Sequence, residues 1–136
     1  HGLASEMTVG GSRRYVAGKP GAGGQNLPLE RAVEADGWLY VSGQVAMKDG
    51  EIVAGGIVEQ THVAIRNLLA ILDEAGYGLE TVVRVGVWLD DPRDFWSFNG
   101  VYKSYFGEHP PARACVQSRL MVDGKVEIDC VCYKGN

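Results

Sequence analysis

Several features are scarce in this sequence, and each scarcity disfavours a class of function. Its 136 residues carry a formal net charge of -4 and no block of lysine or arginine, which disfavours nucleic-acid binding. No apolar run is long enough to cross a bilayer. The first residues lack a basic segment followed by an apolar one, so we expect no export signal. The three cysteines are an odd number, which fits a reducing cytoplasm.

Metal ligands are also scarce. His1, His62 and His109 show no ligand spacing. Cys130 and Cys132 lie two apart in a strand pattern and therefore point to one face. A metal site would need further ligands near them. We expect no metal and interpret both cysteines as small packed hydrophobes.

The length predicts a single domain. We interpret residues 1–6 as a remnant of cloning ahead of a native Met7 and assign residues 7–136 to the domain. Glycine is abundant, with 19 residues, and it is dense in the stretch that ends near Asn26. This composition predicts a loop with at most a short strand at 14–16.

The remaining pattern alternates strands with two helices. Asp36-Gly37 predicts a hairpin turn, and Asp91 predicts the N-cap of the second helix. The predicted elements are strands at 31–35 and 38–43, a helix at 57–75 closed by Gly76, a strand at 81–89, a second helix after Pro92, and strands at 112–122 and 125–133 joined at Asp123-Gly124. This order predicts an α+β fold with two helices on one face of a mixed sheet. The other face also carries apolar residues, so we expect a partner subunit to cover it.

Arg113 and Glu127 each stand among apolar neighbours in the last two predicted strands. A half-buried arginine needs an anion, and a glutamate in apolar surroundings shifts its pKa. If Asp123-Gly124 is a two-residue turn, Glu127 faces Leu120, and Arg113 lies seven residues further, about 23 Å away. Seven is odd, so the two side chains should project from opposite faces. If they serve one site, they come from different subunits.

Most of the chain, from about Leu27 to Tyr133, resembles the reactive intermediate deaminase family, also called Rid, YjgF or L-PSP. The matching segments are Leu39-Tyr40-Val41-Ser42-Gly43-Gln44, the helix start near Gln60-Thr61, Asn99-Gly100-Val101-Tyr102 with Tyr105-Phe106, Pro111-Ala112-Arg113-Ala114-Cys115-Val116, and Val126-Glu127-Ile128. The resemblance implies a chorismate-mutase-like fold and a homotrimer with clefts between subunits. It also implies cofactor-free hydrolysis of imines or enamines, such as 2-aminoacrylate, to a 2-keto acid and ammonia.

The resemblance further implies a role for each site residue. Arg113 would bind the substrate carboxylate, because a guanidinium can donate two parallel hydrogen bonds. Glu127 would orient the attacking water and carry a proton to ammonia. The implied substrate-binding residues are Ser42 and Gly43 on the opposite wall, Asn99 at the rim, Ala114, and Cys115 mainly through its backbone.

Leu29 departs from the family pattern. It stands where the family often has a cleft tyrosine, and it has no side-chain hydrogen-bond donor. The departure bears on substrate identity, and an apolar residue here favours a bulkier imino acid. Other interpretations remain open: Arg113 as a structural ion pair, Glu127 on a solvated face, a trimer that binds a small carboxylate without turnover, or an endoribonuclease, which the acidic balance disfavours.

Overall fold

A seven-stranded mixed sheet forms the centre of the computed structural model, which describes residues 3–8, 11–20 and 25–135. Its strands lie in the order β1-β2-β3-β4-β9-β7-β8, and β5 and β6 form a separate ribbon. The strands are β1 (Leu3–Thr8), β2 (Gly11–Val16), β3 (Ala32–Ala35), β4 (Trp38–Val45), β5 (Met47–Lys48), β6 (Glu51–Ile52), β7 (Val82–Leu89), β8 (Ala112–Gln117) and β9 (Val126–Tyr133).

Two helices pack on one face of the sheet, as predicted. The helix α1 (Ile57–Ala75) has the predicted bounds, and Gly76 ends it with a left-handed φ of 79°. A short 3-10 turn over Pro92–Asp94 precedes α2 (Phe95–Phe106). The Asp91 carboxylate accepts the Arg93 N–H and so caps this turn, whereas the N-cap of α2 itself is Asp94. Among the described residues, no helix is long and apolar enough to cross a membrane.

The core lies between the helices and the sheet. The largest fully buried side chains include Leu39 of β4, Leu68 of α1, Phe98 of α2 and Ile128 of β9. Alternate residues of β4 and β9 are buried, which is the pattern of strands with one packed face. The predicted hairpin is confirmed between β3 and β4, with φ of 51° at Asp36 and 85° at the next glycine.

The predicted hairpin between the last two strands is wrong. β8 pairs in parallel with β7, and β7 also pairs antiparallel with β9, so β7 separates the two strands. β7 is buried at Val85, Val87 and Leu89 and needs a neighbour on each side to satisfy its backbone. The buried Gln60 side chain accepts the Lys125 N–H at 2.9 Å and so helps to position the chain before β9.

The glycine-rich N-terminal stretch holds more strand than predicted. β2 contains the predicted 14–16 strand and is longer, while β1 includes residues 3–6, which precede the predicted domain. Pairing with β3 explains the difference, because it is a tertiary contact that local glycine content does not show. Buried Glu34 of β3 reinforces it, binding both Arg14 of β2 and the Tyr77 hydroxyl. Residues 21–24 of the predicted loop lie outside the described residues.

Candidate functional site

Arg113 projects from β8 toward the helices and lies against aromatic rings. Its guanidinium carbon is 4.7 Å from the Tyr102 ring centroid, 5.6 Å from that of Phe98 and 5.8 Å from that of Phe95. Within the described parts of the chain, no carboxylate forms an ion pair with it. The ring faces attract the cation and leave its N–H donors for an anion, so the described residues give no support to a structural ion pair.

An open groove runs beside this arginine, between α2 and β8. Its first part, a pocket of about 480 Å³, is lined by Arg113 and Asn99 together with the aromatic residues Phe95, Trp96 and Tyr102. A second pocket of about 310 Å³ adjoins it and is lined by Cys115. Phe95 and Trp96 line both pockets. We call these two adjoining pockets the α2–β8 groove. It brings together three of the predicted site residues, Arg113, Asn99 and Cys115.

Two side chains of the groove hold their protons more tightly than usual. Burial raises the pKa of the Tyr102 hydroxyl to about 12, against the opposing effect of the Arg113 charge. That hydroxyl is buried and has no hydrogen-bond partner among the described residues. Burial also raises the pKa of the Cys115 thiol. A neutral thiol is a poor nucleophile, which agrees with the expected backbone role of Cys115.

Glu127 lies on the opposite face of the sheet, away from the helices. Its neighbour Gly43 sits where the pairing of β4 with β9 shifts register, between Val41 and Gln44. A Cβ added at Gly43 would lie 2.2 Å from Glu127 Oε2. The glycine therefore leaves the space that this carboxylate occupies. We call Gly43, Glu127 and the neighbouring Asp129 and Gly86 the carboxylate shelf.

The two acids of the shelf are two residues apart on the same face. The Asp129 carboxylate accepts the Gly86 N–H at 3.0 Å. Burial raises the pKa of Glu127, and the charge of Asp129 raises it further. Burial also raises the pKa of Asp129, against the lowering effect of the Gly86 hydrogen bond. Glu127 is thus a half-buried acid rather than a fully solvated one.

Ser42 is adjacent to Gly43 of the shelf in β4, and Ala114 lies on the same face of the sheet as the shelf. The Ser42 hydroxyl donates to the Glu30 carbonyl at 2.6 Å, so its proton is already used in the fold. Leu29 precedes that carbonyl and is 48% exposed. Ala114 pairs with Gly86, which places it on the face opposite Arg113. The structure therefore does not gather the predicted residues into one pocket.

The predicted opposite orientation of Arg113 and Glu127 is confirmed, but the predicted separation is wrong. Arg113 pairs with Val85 and Glu127 pairs with Trp88, three residues along β7. Three residues correspond to about 10 Å along the strands, and two strand spacings add about 10 Å across them. The sheet itself therefore separates the two groups, so one subunit cannot place both in the same cleft.

Three features of the site were not predicted: the wall formed by Trp96, the buried Tyr102 hydroxyl and the shelf acid Asp129. Asp129 had a visible signal, because it follows Glu127 at the two-residue spacing of one strand face. Trp96 had none, since a surface tryptophan on a helix is ambiguous without knowing which strand lies beside it. The described residues contain no cluster of three or more metal-ligating side chains.

The fold, the α2–β8 groove and the carboxylate shelf define a class that comparison with known proteins identifies. The family described as Endoribonuclease L-PSP matches residues 25–134. The chain belongs to this family, the Rid, YjgF or L-PSP proteins. The match spans every strand from β3 to β9 and both helices, so it includes both the groove and the shelf.

Individual relatives agree with this assignment. The chain is 44% identical over 110 residues to a RutC family protein of Pyrococcus horikoshii, covering 79% of this chain and 87% of the relative. It is 40% identical over 111 residues to the mouse 2-iminobutanoate/2-iminopropanoate deaminase, covering 79% and 82%. The structure of E. coli TdcF with bound serine superposes with a TM-score of 0.76 at 33% identity, covering 86% of this chain and 94% of that one.

Proposed function

We propose that this protein hydrolyses reactive imines and enamines of amino acids to 2-keto acids and ammonia, at sites between the subunits of a homotrimer. One subunit contributes the α2–β8 groove and a neighbour contributes the carboxylate shelf. The observation that carries the proposal is the placement of Arg113 and Glu127 on opposite faces of one sheet. The groove supplies the cation and the shelf supplies the acid, as the two half-sites of one proposed site.

The chemistry follows from the two groups. The Arg113 guanidinium grips the substrate carboxylate through two N–H donors, while the rings behind it restrict its orientation. The imine carbon is already electrophilic, and water adds to it as Glu127 accepts a proton. The electrons of the C=N double bond pass to nitrogen, which takes the proton back from Glu127 and gives a carbinolamine. Glu127 then carries the hydroxyl proton to nitrogen, so that the C=O bond forms as the C–N bond breaks and ammonia leaves. The raised pKa of Glu127 suits a group that both takes and gives a proton.

The assembly is supported by the surface that the sheet leaves open. Large apolar side chains on the face opposite the helices are exposed: Trp38 by 39%, Tyr40 by 52% and Val116 by 49%. Exposed apolar side chains of this size favour burial against another subunit. The names of the relatives support the chemistry, since the mouse protein is a deaminase of two imino acids and TdcF binds an amino acid.

The test generates imino acids with an amino-acid oxidase and traps them with semicarbazide. A hydrolase lowers the yield of trapped imine and speeds ammonia release. Glu127→Gln should abolish most of this effect, while the variant still binds a stable 2-keto acid. An unmodified protein that binds keto acids but changes no rate would instead indicate a binding module. Specific RNA cleavage that survives purification and disappears in Arg113→Ala would favour the endoribonuclease named by the family.

A further inference from the structure

The part of the α2–β8 groove beyond Arg113 is apolar in character. Its lining is Leu89, Pro92, Arg93, Phe95, Trp96, Cys115, Val116 and Gln117. The two polar members are already engaged: Arg93 binds the Asp91 carboxylate at 2.8 Å, and Gln117 Nε2 donates to the Asp90 carbonyl at 3.0 Å. The other lining residues are mainly apolar, so this part suits a hydrocarbon group.

Trp96 is the most exposed apolar residue of this lining. Its side chain is 79% exposed, although its ring meets the Phe95 ring edge-on at 5.3 Å between centroids. Covering a water-exposed indole beside a pocket with an apolar ligand lowers the free energy of the complex. It lies between the arginine pocket and the Cys115 pocket and contributes to both.

The spacing along β8 sets the size of the group that reaches this wall. Arg113 and Cys115 are two residues apart on one face, which is about 7 Å. With its carboxylate on Arg113, the one-carbon side chain of an alanine-derived imine ends well before Cys115. An isobutyl or benzyl side chain reaches further along the groove, toward Cys115 and Trp96.

We infer that the α2–β8 groove selects imino acids with bulky apolar side chains, and that Trp96 determines this preference. The inference rests on the proposed function and adds the substrate class to it.

The test compares imines generated from phenylalanine, leucine and alanine with the unmodified protein. We expect kcat/KM for the phenylalanine-derived imine to exceed that for the alanine-derived imine at least about tenfold, the discrimination that a few buried methylenes provide. Trp96→Ala should remove most of that ratio, because it raises KM for the phenylalanine-derived imine more than it raises KM for the alanine-derived imine. Trp96→Phe should restore part of it, and Val58→Ala, a loss of an exposed apolar side chain on α1, should change neither rate.

The outcomes separate the inference from the function beneath it. Acceleration of no imine overturns the proposed function and the inference together. Equal kcat/KM for small and bulky imines, or an equal loss for both in Trp96→Ala, overturns the inference and leaves the deaminase in place. Dissociation of the assembly in Trp96→Ala with an unchanged ratio overturns it as well, because the indole would then serve subunit contact. Tighter binding of phenylpyruvate than pyruvate by the unmodified protein supports the inference without any variant.

Discussion

The α2–β8 groove and the carboxylate shelf accommodate their charged groups in different ways. In the α2–β8 groove, large side chains from a helix surround a charged one, and Arg113 lies on Tyr102 and Phe98. On the carboxylate shelf, the absence of side chains at Gly43 and Gly86 leaves room for the carboxylates of Glu127 and Asp129. The shape of the groove depends on the large side chains that line it, and the shape of the shelf depends on glycines that carry no side chain.

This difference predicts how each half-site fails. The groove loses function when a side chain is removed, since its binding groups are the side chains themselves. The shelf loses function when a side chain is added, since a methyl group at a glycine displaces the acid. Removing side chains from the groove and adding them to the shelf therefore tests this contrast.

The largest expected effect is at the groove's charge. Arg113→Ala should lower kcat/KM for any imino acid by about two to three orders of magnitude, the cost of removing one partner of a desolvated charge pair. Arg113→Lys keeps the charge without the two-pronged geometry and should recover only part of that loss. Steady-state kinetics at one pH provide the measurement, and equal rates for Lys and Arg would show that bidentate binding is unimportant.

Gly43→Ala should lower kcat by about tenfold to a hundredfold, because a misplacement near 1 Å of a reacting group has effects of that size. The added Cβ would lie 2.2 Å from Oε2 of Glu127 and force that carboxylate aside. The matched control is Gly100→Ala in α2, where an added Cβ meets nothing within 4 Å. That control should raise stability by up to about 1 kcal/mol through helix propensity and leave kcat unchanged.

Tyr102→Phe should stabilise the protein by about 1 kcal/mol, because it removes a buried hydroxyl without a partner among the described residues. The ring stays, so the contact with Arg113 is kept. Urea denaturation compares the two proteins. A loss of stability would show that the hydroxyl gains a partner in the assembled protein.

The smallest effect is the pH dependence of stability at the shelf. Burial raises the pKa of Glu127 in the folded state, so its ionised form costs folding free energy above that pKa and none below the unfolded value near 4.5. Glu127→Gln should therefore be more stable than the parent at pH 8, and the difference should shrink as the pH falls toward 4.5. Denaturation curves across this range measure it, and a difference that grows in acid would contradict the sign.

Local signals predicted the elements whose bounds depend on local chemistry. The spacing of Ile65, Leu68 and Leu72 with a closing Gly76 located α1, and Asp36-Gly37 located the first hairpin. The Asp123-Gly124 signal failed, because Gln60 from a distant helix and the open edge of β7 decide where β9 begins and pairs.

The sequence by itself determined the helices, the family and the two charged residues that the proposed chemistry needs. Those follow from periodicity, capping and short motifs, which act between near neighbours along the chain. Only the tertiary structure decided that β7 separates β8 from β9, that Trp96 lies between two pockets and that Gly43 leaves space for Glu127. Strand order and shared cavities arise from contacts between distant segments, and their free energy depends on how all the elements pack at once.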